Sequence, residues 1–215
     1  MNQIINKDCL LALREMPDNS IDCCVTDPPA GIAFMNKKWD SDKGGRDEWI
    51  KWLCEIMIEV KRVLKPGAHG FVWALPRTSH WTAMALENAG CDNIEEKDSM
   101  KWNGGNDMVG LAGTYPDGTP RPKQISKNAH PTVKPLKLMS YLIVLGSREN
   151  DTILDPFAGS GTTLVAAKML NRKYIGCELD PEYVKIAEAR LSAVDKPNVV
   201  HQIKKESVEQ NAFFG

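Results

Sequence analysis

The sequence lacks the features that would assign the protein to several specialised classes. Its six cysteines are scattered, and no two of them form a Cys-x-x-Cys pair, so neither a zinc site nor a redox motif is indicated. No apolar run approaches the roughly 18 residues of a membrane-spanning helix, and the N-terminus has no secretory apolar segment. We therefore expect a cytoplasmic protein with reduced thiols and no membrane partner.

The sequence also lacks an excess of charge of either sign. Its 27 Lys and Arg side chains balance 28 Asp and Glu side chains, for a net charge of -1. This balance does not indicate nucleic-acid binding as a basic domain would, although a local basic patch is sufficient for it. Hydrophobic residues make up 42% of the 215 positions, which is typical of one globular domain.

Short apolar runs alternate with segments of helical periodicity. This order predicts a mainly parallel sheet covered by helices on both faces. The expected strands are 21–25, 70–75, 153–154 and 174–177, with weaker ones over 94–102. The expected helices are 47–64, 78–90, 135–145, 162–170 and 181–193, the first of them ended by Pro66 and Gly67. Residues 103–129 hold five glycines and three prolines without any period, so we expect a loop insert within a single domain spanning 1–215.

A glycine-rich turn, residues 155–163, follows the strand at 153–154 and opens a helix. Glycines such as Gly159 and Gly161 permit positive φ and close approach of a ligand to the backbone, and the helix start offers free N–H groups. Leu164 stands where a third glycine would complete Gly-x-Gly-x-x-Gly. Glu178 follows 17 positions after Gly161, at the end of the next strand, where a carboxylate can bind ribose hydroxyls. Together these residues predict an adenosine-containing cofactor.

A second motif, Asp27-Pro28-Pro29, ends the strand at 21–25. An aspartate at the carboxyl end of a parallel strand lies where open α/β sheets bind ligands. The two prolines fix the backbone and contribute carbonyl acceptors without N–H donors. A carboxylate and a rigid carbonyl can together accept both hydrogens of a planar amino group. Taken alone, the motif is more typical of an ordinary strand terminator than of a binding site.

Both motifs carry a family resemblance. Residues 27–30 resemble the catalytic Asp-Pro-Pro-Tyr motif of amino-group DNA methyltransferases, and residues 155–162 closely resemble the cofactor motif of that family. The stretch 130–135 and the N-terminal runs 6–10 and 16–22 are also similar to it. With the catalytic motif first, the order is that of the circularly permuted beta group. The resemblance implies the α/β, Rossmann-like fold of S-adenosylmethionine-dependent methyltransferases, with a seven-stranded, mostly parallel sheet.

The resemblance also implies the cofactor, S-adenosyl-L-methionine, and the residues that bind it. Asp8 is expected near its adenine, Glu178 at its ribose, and Thr132 and Lys134 near its methionine end. The full set is Asp8, Thr132, Lys134, Asp155, Phe157, Gly159, Ser160, Gly161, Thr162 and Glu178. No metal is implied.

The implied reaction is methylation of an exocyclic amino group in DNA, with Asp27, Pro28 and Pro29 as the catalytic motif. The partner would be duplex DNA with the target base flipped out of the stack. Asp at the first motif position favours adenine N6. Cytosine N4, RNA or a protein glutamine are alternative targets, and a binding module without catalysis is another possibility. A homodimer is compatible with the resemblance.

The sequence departs from the family pattern at Ala30, where the family has an aromatic residue that stacks on the flipped base. Phe34 or Trp39, in the loop that follows, are the candidate replacements, or else they simply pack that loop. Basic side chains nearby and in the long loop are candidate DNA contacts, although such residues often form ordinary solvated surface. Those candidates are Lys38, Arg121 and Lys123.

Overall fold

Five strands form one sheet in the part of the chain that this computed structural model describes, residues 2–33, 40–91 and 134–194. They are β1 (Gln3–Asn6), β2 (Ile21–Thr26), β3 (Leu64–Val72), β4 (Thr152–Asp155) and β5 (Lys173–Glu178). Their spatial order is β1-β5-β4-β2-β3, and every neighbouring pair is parallel. The parallel sheet is thus confirmed, with five described strands against the seven expected. The weaker strands expected over 94–102 and the loop 103–129 lie outside the described residues.

Helices cover both faces of this sheet, as the alternating pattern predicted. The helices are α1 (Cys9–Arg14), α2 (Arg46–Val63), α3 (Ser79–Asn88), α4 (Leu136–Gly146), α5 (Thr162–Met169) and α6 (Pro181–Ala193). The first three pack with Cys24 and Leu154 in one apolar cluster, and the last three pack with Cys23 and Ile153 in another. Because successive strand residues point to opposite faces, β2 and β4 contribute to both clusters, and all but one residue of each strand is buried.

Both ends of one strand differ clearly from the sequence prediction. The strand expected at 70–75 instead covers Leu64–Val72 and begins directly after α2, so Pro66 and Gly67 lie within β3. Most of this strand is exposed, and it is an edge of the described sheet, where a proline leaves no ladder hydrogen bond unmade. As a result, Trp73 lies beyond the end of β3.

The strand order places a topological switch point between β2 and β4. From β2 the chain crosses through α2 to β3 on one side, and from β4 it crosses through α5 to β5 on the other. Ligands of open α/β sheets bind at the carboxyl ends of strands at such a point. The two sequence motifs follow β2 and β4, so both meet there.

Four of the six cysteines, Cys9, Cys23, Cys24 and Cys177, are buried. None of the six, which all lie in the described ranges, forms a disulfide, and burial raises the pKa of Cys9, Cys23 and Cys177 to about 12. Across the described ranges, no group of His, Cys, Asp and Glu side chains is arranged to hold a metal ion. No helix there is both long and apolar enough to cross a membrane.

Candidate active site

A cleft of about 1000 Å³ opens where β2 and β4 end. Its wall includes Asp27, Pro28 and Pro29 from the first motif and Phe157 and Gly159 from the second. Its volume is at the upper end of the range for small-molecule sites. The tertiary structure therefore brings the two motifs to one cavity.

The glycine-rich turn adopts the backbone that its composition predicts. Gly159 has φ of +52° and Gly161 has φ of +79°, both in the left-handed region that favours glycine. Gly161 also lies against α6, because a Cβ at this position would come within 2.7 Å of the Cβ of Ala187. Of the described residues expected to bind the cofactor, Gly161 is the one that does not line the cleft, and its glycine is required for helix packing.

Glu178 holds the turn at the end of β5. Its carboxylate accepts hydrogen bonds from the N–H of Gly159 and the N–H of Asp180, each at 2.8 Å. Partial burial raises the pKa of Glu178, and these two donors oppose that rise by stabilising the charged form. A carboxylate has about four acceptor positions, so it retains capacity for the hydroxyls of a ribose.

Arg190 of α6 supports the same turn from behind. One guanidinium nitrogen donates to the carbonyl of Ser160 at 2.5 Å, to Ser160 Oγ at 3.0 Å and to Thr162 Oγ1 at 3.1 Å. The hydroxyls of Ser160 and Thr162, expected to bind the cofactor, are therefore bonded to α6, although both residues also line the cleft. No pattern in the sequence pointed to Arg190, because its partners lie about 30 positions away.

A buried hydrogen bond joins the two motifs directly. Thr26 Oγ1 donates to Asp155 Oδ1 at 2.7 Å across 129 positions of sequence, and the same oxygen accepts from the N–H of Phe157 at 3.1 Å. Asp155 is 3% exposed, and this burial raises its pKa to about 6. Asp155 thus connects β4 to the end of β2 as well as lining the cleft.

Asp27 is paired with Lys134. The Lys134 ammonium forms an ion pair with Asp27 Oδ2, and the two side chains are only 18% and 26% exposed. Burial raises the pKa of Asp27, and the charge and hydrogen bond of Lys134 oppose that rise. Lys134 was expected near the methionine end of the cofactor, which stays a prediction, and in the structure its ammonium contacts the catalytic motif.

The loop that follows the catalytic motif is closed at its base by Asp40. The N–H of Gly31 donates to Asp40 Oδ1 at 2.9 Å, and the N–H of Ala33 donates to the Asp40 carbonyl at 2.7 Å. Asp40 is 1% exposed. The six positions from 34 to 39 lie between these anchors and outside the described residues.

Asp8 lines the cleft at the start of α1. Its carboxylate accepts a hydrogen bond from the N–H of Leu11 at 3.2 Å and so caps that helix. Just before it, the Asn6 amide donates to the carbonyls of Glu178 and Leu179 at 2.9 and 3.0 Å. The ends of β1 and β5 are therefore fastened together beside the cofactor turn.

Several aromatic side chains that sequence analysis did not assign to the site also line the cleft. The rings of Trp52 and Phe157 are 5.7 Å apart, those of Trp49 and Trp52 are 6.2 Å apart, and Lys43 lies 4.6 Å from the Trp52 centroid. Trp73, beyond β3, also lines the cleft. Only Phe157 was predicted, because the others lie on α2 or near β3 and carry no motif.

The charge of the cleft favours a cationic ligand. Six carboxyl side chains line it against three lysines. The carboxyl groups are those of Asp8, Asp27, Asp40, Asp155, Glu178 and Asp180. Such a set, with the hydroxyl-binding capacity of Glu178 and the open backbone of Gly159, fits a cofactor that carries a ribose and a positive charge.

Six predicted site residues lie outside the described residues, so their roles stay predictions. They are Phe34, Lys38, Trp39, Arg121, Lys123 and Thr132.

Comparison with known proteins agrees with this geometry. A family profile described as DNA methylase matches residues 21–119 and 111–189. The type II methyltransferase M2.DpnII of Streptococcus pneumoniae is 49% identical over 91% of this chain and 91% of its own length. The putative methylase YubD of Escherichia coli is 32% identical over 91% of this chain and 92% of its own.

Solved structures share the fold. A putative DNA modification methylase from Thermus thermophilus, complexed with S-adenosyl-L-methionine, superposes with a TM-score of 0.65 at 22% identity. The match covers 92% of this chain and 97% of that one. The cytosine-N4-specific PvuII DNA methyltransferase gives a TM-score of 0.61 at 19% identity over 88% and 86% of the two chains.

Proposed function

Because the chain belongs to the family of amino-group DNA methyltransferases, we propose that it methylates adenine N6 in duplex DNA with S-adenosyl-L-methionine as methyl donor. One observation carries this proposal. A carboxylate followed by two prolines and a glycine-rich cofactor turn line the same cleft at the switch point of the sheet.

The cofactor half of the cleft provides contacts of two kinds. Glu178 offers acceptors for ribose hydroxyls while its other acceptor positions bind the N–H groups of Gly159 and Asp180. Asp8 and Phe157 line the space on either side. When bound, the cofactor supplies a methyl group attached to a positively charged sulfur. The acidic lining of the cleft stabilises that charge.

Asp27 and the carbonyl of Pro28 bind the target amine. The exocyclic nitrogen is a poor nucleophile because its lone pair is delocalised into the ring. Two acceptors that bind both N–H hydrogens draw the nitrogen towards tetrahedral geometry and release the lone pair. Since these acceptors are fixed by the fold, catalysis is mainly positioning and preorganised electrostatics.

If the target amine binds Asp27 at the position that the Lys134 ammonium occupies, the ion pair between Lys134 and Asp27 is released. The target amine is neutral, so a free and ionised Asp27 accepts its hydrogens more strongly than a protonated one. The Lys134 ammonium is then available to an anionic partner. The carboxylate at the methionine end of the cofactor is such a partner, in agreement with the role predicted for Lys134.

The proposal includes a flipped target base and a preference for adenine. An amino group within a duplex can reach Asp27 only if its base leaves the stack. Adenine is preferred over cytosine because Asp stands at the first position of the catalytic motif. A cytoplasmic location, where bacterial or phage DNA lies, is consistent with this substrate, and a homodimer stays a prediction.

Transfer of labelled methyl to DNA tests the proposal. The purified protein is incubated with tritiated S-adenosyl-L-methionine and plasmid DNA, the DNA is digested, and the labelled nucleoside is identified. We expect N6-methyldeoxyadenosine. Label in N4-methyldeoxycytidine would overturn the choice of base, and label in RNA or protein but not in DNA would overturn the proposed substrate.

A pair of variants tests the role of Asp27. Asp27→Ala should lose methyl transfer while its affinity for S-adenosylhomocysteine, measured by calorimetry, stays within a few-fold of wild type. Glu188→Ala, which removes an exposed carboxylate on α6, should retain both properties. Loss of cofactor affinity in Asp27→Ala would mean that Asp27 has a structural role instead.

A further inference from the structure

We infer that Trp73 is the aromatic side chain that stacks on the flipped target base in place of the aromatic residue absent at position 30. The inference rests on the proposed function. A base removed from the duplex loses its stacking, and an aromatic surface in the protein is the usual compensation for that loss. Ala30 offers no such surface beside Asp27.

The sheet places Trp73 next to the catalytic motif. Thr26 of β2 pairs with Val72 of β3, so the following residues, Asp27 and Trp73, leave the two strands side by side. The N–H of Trp73 donates to the carbonyl of Thr26 at 2.8 Å and fixes this arrangement. Trp73 therefore has a rigid backbone attachment immediately beside Asp27, as a stacking surface requires.

The contacts of Lys134 show that the side chains of Asp27 and Trp73 lie close together. Its ammonium pairs with Asp27, and the same nitrogen lies 5.4 Å from the centroid of the Trp73 ring. An N–H donor that binds Asp27 is thus within reach of this ring. The target amine is also an N–H donor to Asp27, so in this proposal its nitrogen takes the place of the lysine nitrogen and the attached base lies beside the Trp73 ring.

The other described tryptophans around the cleft are already engaged. Trp49 is 1% exposed. Trp52 packs between Trp49 and Phe157, with Lys43 4.6 Å from its centroid. Trp73 is half-buried in the cleft wall, and the group over its ring is the ammonium of Lys134. In this proposal the target amine replaces that ammonium at Asp27.

Kinetics on a mapped methylation site test the inference. The substrate is a duplex oligonucleotide that carries the site methylated by the wild-type protein. Trp73→Ala should lower kcat/KM for this DNA by roughly 5- to 150-fold, the range expected from loss of one base–aromatic stack. Trp73→Phe should recover most of it, and the affinity of both variants for S-adenosylhomocysteine should match wild type. Tyr141→Ala, which removes an aromatic ring that is 49% exposed on α4, is the matched control and should leave kcat/KM unchanged.

A mismatched substrate separates stacking from a merely structural role. Flipping costs least for a base that is already mispaired. A duplex with a mismatch opposite the target base should therefore restore part of the activity of Trp73→Ala, and it should help wild type less. An equal deficit on matched and mismatched duplexes, or wild-type kinetics on both, would overturn the inference. In the second case Phe34→Ala and Trp39→Ala, tested on the same substrates, would identify the stacking residue. If wild type itself transfers no methyl to DNA, the proposed function fails, and that outcome is distinct from these.

Discussion

Substitution of Gly161 provides a sharp test of how the cofactor turn is built. In Gly161→Ala, the new Cβ would lie 2.7 Å from the Cβ of Ala187 and 3.2 Å from its Cα, at a backbone φ of +79°. The left-handed conformation costs an alanine about 1–2 kcal/mol, and overpacking at a well-packed contact costs about 1–3 kcal/mol more. We therefore expect the free energy of unfolding to fall by about 2–5 kcal/mol.

The chain offers a matched control for the backbone part of this cost. Gly67 has the same φ of +79°, and a Cβ there would meet nothing within 4 Å. Gly67→Ala should therefore lose only the conformational share, about 1–2 kcal/mol. Urea denaturation of both variants measures the difference, provided that the slopes of the transitions agree.

A second variant identifies the atom responsible. Ala187→Gly removes the Cβ that the new side chain meets, at a cost of about 1 kcal/mol for glycine within a helix. In the double variant Gly161→Ala/Ala187→Gly, the loss of stability should be smaller than the sum of the two single losses. The difference, a favourable coupling energy, should be about 0.5–3 kcal/mol. If Gly161→Ala costs no more than Gly67→Ala and the coupling energy is zero, then contact with α6 does not determine the glycine at position 161.

Three further predictions concern residues that line the cleft. Lys134→Met should move the acidic limb of the pH–activity profile to higher pH. Loss of the ammonium raises the pKa of the already buried Asp27, so its ionised form is lost sooner as pH falls. Lys134→Arg should keep the limb near its wild-type position, and an unmoved limb in Lys134→Met would contradict the ion pair. Glu178→Ala should weaken S-adenosylhomocysteine binding by about 10- to 100-fold, since hydrogen bonds to a charged group are worth about 1.5–3 kcal/mol. Gly159→Asp should weaken S-adenosylhomocysteine binding further, since a second carboxylate would then stand where the Gly159 N–H meets Glu178. Calorimetry measures the affinity of both variants. Unchanged affinity in Gly159→Asp would remove the cofactor turn from the binding site.

The sequence by itself determined the elements whose signal is local. Short continuous apolar runs and helical runs with period 3.6 predicted the parallel sheet and most of its helices. The glycines at 159 and 161 predicted positive φ, because few other residues adopt it. An aspartate followed by a proline is typical of a helix start, and α6 begins at Pro181, where Asp180 accepts from the N–H of Glu182 at 2.9 Å. These features depend on a few neighbouring residues, so the order of residues is sufficient to indicate them.

The sequence alone was less informative where the signal was short or exposed. Strand β1 and helix α1 have four and six residues, too few for a period to emerge. The start of β3 was placed six residues late, because Pro66 and Gly67 indicate a break unless the strand is known to lie at an edge.

Only the tertiary structure decided which side chains meet in the cleft. The Thr26–Asp155 hydrogen bond, the Lys134–Asp27 ion pair and the support of Ser160 by Arg190 join residues that are far apart in sequence. The position of Trp73 beside the catalytic motif follows from the pairing of β2 with β3. Strand order and register are set by packing of the whole sheet, and no local pattern records which strand will lie beside which.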